Sequence, residues 1–153
     1  EMQRSLVGSE MCIRDSSTMS DIIYKIKQYF EYFMEEFHMT GHELALACAK
    51  ALSEKKAQDI VILDVADQTV VCSYFVIASG HSTTQVRALG DAVEEKLEKD
   101  GLSPLRKEGL REGRWGVIDY GDVVVHIFNE ESRLYYYLER LWDSGKNIER
   151  YEG

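Results

Sequence analysis

Residues 115–128 read Trp115-Gly-Val-Ile-Asp-Tyr-Gly-Asp-Val-Val-Val-His-Ile-Phe128, and this stretch decides the fold. Two runs rich in β-branched and aromatic residues, Trp115–Asp119 and Val123–Phe128, flank Tyr120-Gly121-Asp122. A short glycine-containing connection between such runs predicts an antiparallel hairpin. Successive strand residues point to opposite faces, so His126 lies on the face opposite Val123, Val125 and Ile127.

Downstream, Asn129 caps a last helix whose positive first turn carries Glu130 and Glu131. Leu134, Leu138 and Leu141 form its inner stripe, leaving Arg133, Tyr136 or Tyr137, and Arg140 toward the surface. Upstream, Pro104 begins an extended segment through Leu105, and the polar run Lys107–Arg114 reads as a loop. Before it, Val86, Leu89, Ala92, Val93 and Leu97 recur at helical spacing and Gly101 ends the helix. Asp59–Val65 and a second run from about Val70 to Ser79 are nearly continuous apolar stretches, as expected of central strands covered on both faces. Thr40 with Glu43 forms a capping box, opening a helix to about Ala57 with Leu44, Ala47, Cys48, Ala51 and Leu52 on one face. The order is α, β, β, α, β, β, β, α: an α/β chain of the α+β type, with a mixed sheet of about five strands and helices packed on it.

The remaining N-terminal residues form two segments. Residues 1–18 lack a sustained apolar period, and the run SLVGSEMCIRDS looks like translated sequencing-adapter read-through, a non-native leader outside the fold. Residues 19–38 carry Ile22, Ile23, Ile26, Tyr29, Phe30, Phe33, Met34 and Phe37 at helical steps, with Ser20 or Asp21 as N-cap. The polar face holds Lys25, Lys27, Glu31, Glu35 and Glu36, which is not the basic face that anionic lipid selects. Packing on the domain, or mistaken translation of an upstream stretch, is the preferred reading, with Met39 as the start. One domain then spans residues 39–145, and residues 146–153 are a C-terminal tail.

Among 153 residues, 44% are apolar and 29% charged, enough for one hydrophobic core. No stretch approaches a membrane-spanning length and no export leader opens the chain, which predicts a cytoplasmic protein. Cys12, Cys48 and Cys72 share no CxxC spacing, so neither a disulfide framework nor a zinc site is indicated. The net charge of −9 disfavours direct contact with nucleic acid and suits a basic protein partner.

Two catalytic readings fail on their residues. Ser79-Gly80-His81-Ser82 at a strand-to-helix turn could hold a phosphate, like the start of a nucleotidyltransferase site. That chemistry needs closely spaced carboxylates on a following strand to hold magnesium, and no Asp-x-Asp follows; Asp119 and Asp122 are separated by a turn. A tight turn with Ser82 as N-cap accounts for the same residues. A Ser-His-Asp hydrolase lacks the GxSxG elbow that would hold its nucleophile. His126 has no Cys, His or Glu pattern around it and reads as a hydrogen-bonded or interface histidine. The last helix, by contrast, concentrates Arg133, Tyr136, Tyr137, Arg140 and Trp142, residue types that dominate protein–protein hot spots.

From about Thr40 to Trp142 the chain resembles the ribosomal silencing factor family, also called Iojap-like. The resemblance is carried by Asp59–Val65, by Tyr74–Gly80 with Ser82, Gln85 and Val86, and by Trp115–Phe128. Glu131, Arg133, Tyr136, Leu138, Glu139, Leu141 and Trp142 continue it in order. It implies a nucleotidyltransferase-like fold without catalytic carboxylates, no enzymatic step, and no cofactor or metal. It also implies binding to ribosomal protein fourteen of the large subunit, blocking the small subunit sterically, and a homodimer off the ribosome. A large-subunit assembly factor and a nucleotide-binding protein are the alternatives. The expected partner-binding surface comprises Trp115, Asp119, Asp122, His126, Glu131, Arg133 and Tyr136.

Overall fold

The computed structural model describes residues 18–36 and 39–153, which divide into two units, residues 1–38 and 39–153. Most of the leader, including Cys12, together with Phe37 and His38, lies outside the described residues. Among the described residues of the first unit, the helix α1 (Met19–Glu36) leaves Ile22, Ile23, Ile26, Tyr29 and Phe30 exposed. It starts earlier than Ser20 or Asp21 would cap it. The Asp21 N–H donates to Thr18 Oγ1 at 3.3 Å and the Thr18 N–H to the Asp21 carboxylate at 3.2 Å, so Thr18 is the cap and Asp21 its reciprocal partner.

The second unit opens with α2 (Gly41–Glu54), entered through the Thr40–Glu43 capping box. The helix stops short of Ala57 because Lys56 turns left-handed, with φ of 62°. The Ala57 and Lys56 N–H groups then close on the Leu52 and Ser53 carbonyls, at 3.0 and 2.9 Å. The strands β1 (Gln58–Asp64) and β2 (Tyr74–Gly80) pair antiparallel, with a bulge near Asp59, itself at φ 47°. Ser82 caps α3 (Thr83–Lys99), which ends at Gly101 with φ of 80°.

Next come β3 (Arg106–Glu108), β4 (Trp115–Asp119) and β5 (Val123–Asn129), the last two forming the expected hairpin. β3 partly occupies the segment read as loop; all three of its side chains are exposed, so no apolar alternation marks it. The last helix is two short ones, α4 (Glu130–Tyr136) and α5 (Leu138–Trp142), broken at Tyr137 with φ of 43°. The segment read as a tail supplies a sixth strand, β6 (Ile148–Arg150). The sheet runs β3-β4-β5-β2-β1-β6, antiparallel except for the parallel β2–β5 pair.

Alternation divides the core between the two sheet faces. Ile60, Ile62, Val76, Ala78, Ile118, Val123, Val125 and Ile127 meet the inner sides of α2 and α3, where Cys48, Leu52, Val86, Leu89 and Leu97 are buried. On the opposite face Val61, Leu63, Phe75, Ile77, Val124 and Phe128 gather with Leu138 of α5. Trp142 closes that side, edge-on to Phe75 at 5.2 Å. Two helices therefore cover one face, while two much shorter ones cover part of the other. Among the described residues, no helix is long and apolar enough to cross a membrane.

Candidate functional site

The β4–β5 register sets Trp115 opposite Phe128, Val117 opposite His126 and Asp119 opposite Val124. All six share the sheet face away from α2 and α3. The Trp115 indole N–H donates to His126 Nδ1 at 3.1 Å. Its ring stacks on Phe128 with centroids 4.9 Å apart and meets Tyr136 of α4 at 4.8 Å. His126, only 8% exposed, lies edge-to-face with Phe75 at 5.0 Å. Burial pulls its pKa down to about 4, so the imidazole is neutral near pH 7, and Nε2 has no hydrogen-bond partner among the described residues.

Beside this cluster an open groove of about 270 Å³ runs toward the β3 edge. Phe75, Val117, Val124 and His126 line it, with Arg106, Glu108 and Asp119 adding charge. The Asp119 carboxylate also accepts the Gly121 N–H at 2.8 Å and holds the hairpin turn, where Gly121 has φ of 90°. Asp122 projects from the same turn, exposed. Its carbonyl accepts from the Ser73 and Tyr74 N–H groups, at 2.8 and 3.0 Å, fixing the start of β2 against the hairpin.

The structure thus brings Trp115, His126 and Tyr136 into contact, with Asp119 and Asp122 farther along β4 and its turn. Glu131 is exposed in the first turn of α4. Arg133 departs from its expected surface position. It is 7% exposed and donates to Ser79 Oγ at 2.8 Å, the Asp59 carbonyl at 2.9 Å and the Glu139 carboxylate at 2.7 and 2.8 Å. The inner stripe changes with it: Leu138 is buried, but Leu134 and Leu141 are 82% and 75% exposed. Breaking the helix at Tyr137 resets the angular position of every later residue, so one helical period cannot place both halves. Val117 and Phe75 escaped the sequence reading, although alternation from Trp115 could have placed Val117 on this face.

The rival site is closed by its own residues. Gln85 Oε1 accepts the His81 N–H at 2.7 Å, while its amide nitrogen donates to the Lys55 and Lys56 carbonyls at 3.4 and 3.3 Å. Ser82 Oγ accepts the Gln85 N–H, and Ser79 is held by Arg133. Gly80 pairs with Asn129 at one end of the β2–β5 ladder and Tyr74 with Val123 at the other. Asp119 and Asp122 lie at the Tyr74 end, roughly 20 Å along the strands from Ser79–Ser82, too far to share a magnesium-bound phosphate with it. Among the described residues no group of His, Cys, Asp and Glu is placed to hold a metal.

Residues 38–152 match the family model described as ribosomal silencing factor during starvation. "Ribosomal silencing factor RsfS" of Bacillus subtilis is 40% identical over 104 residues, 68% of this chain and 88% of that protein. The same-named protein of Halalkalibacterium halodurans is 35% identical over 111 residues, 72% of this chain and 95% of its own length. A crystal structure of a Chromobacterium violaceum protein superposes with a TM-score of 0.67 at 35% identity, covering 75% of this chain and 95% of that one.

Proposed function

Because the chain belongs to the ribosomal silencing factor family, we propose that it represses translation by occupying the joining face of the large ribosomal subunit. The contact is ribosomal protein fourteen, and the small subunit is excluded sterically, in the cytoplasm and without a chemical step. The observation that carries this reading is the partly open β3–β5 face: the Trp115–Tyr136 aromatic pair, with Tyr136 half exposed, lies beside a groove to which Glu108 and Asp119 add charge. Aromatic anchors within a charged rim are the composition of a protein interface, and an excess of carboxylates steers toward a basic partner.

The test is sedimentation with purified large subunits, followed by addition of small subunits. Cosedimentation with loss of joined ribosomes is the expected outcome. Binding without that loss would assign the chain to large-subunit assembly, and absence of binding would overturn the proposal.

A further inference from the structure

The inward-facing Arg133 turns its α4 neighbours Leu134 and Tyr135 outward, and the break at Tyr137 leaves Leu141 of α5 exposed as well. Leu134, Tyr135 and Leu141 are 82%, 80% and 75% exposed, and Tyr137, the left-handed residue at the break, is also exposed. Nothing in the local sequence forces this break, since Tyr137 is neither glycine nor asparagine. It is held by Arg133, whose guanidinium is anchored on Ser79 and the Asp59 carbonyl and reaches across the break to Glu139. A buried arginine and a strained backbone together maintain an exposed apolar surface, an arrangement that folding alone does not favour.

The exposed rings are continuous with the surface of the proposed function. Tyr135 meets Tyr136 edge-to-face at 5.0 Å, and Tyr136 meets Trp115 at 4.8 Å. Glu130 and Glu131, both exposed, flank the strip at the start of α4. We propose that Leu134, Tyr135, Tyr137 and Leu141 form a second half of the docking surface, held open by Arg133, and that its occupant is the same basic large-subunit protein. That protein presents an apolar patch bordered by lysine or arginine: the patch covers the leucines and tyrosines, and the cations meet Glu130 and Glu131. This inference rests on the proposed function and adds to it a set of contacts outside the sheet. Arg133 is a positioning residue that touches no partner.

The test uses the full chain and a Leu134→Gln/Tyr135→Gln/Leu141→Gln variant. These side chains are exposed and glutamine keeps helix propensity, so the melting temperature should not fall. Affinity for purified large subunits, measured by cosedimentation, should drop at least about tenfold. Wild-type protein that fails to bind large subunits overturns the proposed function itself. Wild-type and variant proteins that bind equally overturn only this inference. Loss of a dimer in the variant with unchanged large-subunit binding would assign the strip to self-association and overturn it too. Should the triple variant fail to fold, cross-linking from a photoreactive residue at position 134 in otherwise intact protein decides: cross-links to a large-subunit protein support the proposal, and none overturn it.

Discussion

The indole N–H of Trp115 donates to Nδ1 of His126, which leaves the imidazole proton on Nε2. Burial holds the folded-state pKa at about 4, below the unfolded value near 6.5. The unfolded chain therefore binds the additional proton as the pH falls. Stability from this group is complete above about pH 6.5 and declines toward pH 4, by at most about 3 kcal/mol. An NMR titration of His126, with melting temperatures across the same range, should show both effects. His126 titrating near 6.5 would contradict the assignment.

Arg133 and Glu139 form a buried pair whose halves are costly apart. Arg133→Met should lower stability by about 3–5 kcal/mol in urea unfolding, because it strands the Glu139 carboxylate. Adding Glu139→Leu should recover a substantial part of that loss. A double variant no more stable than the single one would show that the stranded carboxylate is not the cause.

Asp119 and Asp122 can be stripped of charge without losing the turn, since asparagine retains an acceptor for the Gly121 N–H. The Asp119→Asn/Asp122→Asn protein should melt close to the parent and bind large subunits several-fold more weakly at low salt. The difference should shrink at high salt, as screening removes the electrostatic part. Undiminished binding at low salt would remove the acidic rim from the proposed interface.

Gly109 sits at φ 72° in the connection before β4, where an added Cβ would lie 2.0 Å from the Trp115 carbonyl oxygen. Gly109→Ala must move the strand that carries Trp115. We expect destabilisation of more than about 1 kcal/mol and altered tryptophan emission. An alanine protein with parental stability and emission would show that the loop yields without disturbing Trp115.

The features legible in the sequence are those whose causes are local. The Thr40, Ser82 and Asn129 caps, the Gly101 terminus and the β4–β5 hairpin each depend on residues a few positions apart, and all stand as read. So does the orientation of His126, fixed by alternation. The misplaced features have distant or faint causes. Arg133 reaches Ser79 and the Asp59 carbonyl, 54 and 74 residues away, and helical periodicity carries no record of either. β3 and β6 have only three residues each, and most of their side chains are exposed and charged. Of the expected surface, strand phase is enough to put Trp115, Asp119 and His126 on one sheet face. The burial of Arg133 required the fold.

β6 carries one more consequence. Ile148, Glu149 and Arg150 lie against Leu63, Ile62 and Val61, and the Tyr151 N–H reaches the Ile60 carbonyl at 2.9 Å. Remove residues 146–153 and the apolar Ile60–Leu63 run of β1 becomes an open template, able to recruit the same ribbon from another molecule. A three-residue strand bearing Glu149 and Arg150 is a poor template in its turn, being short and charged. β6 thus serves as a selvedge, finishing this edge of the sheet so that it does not grow.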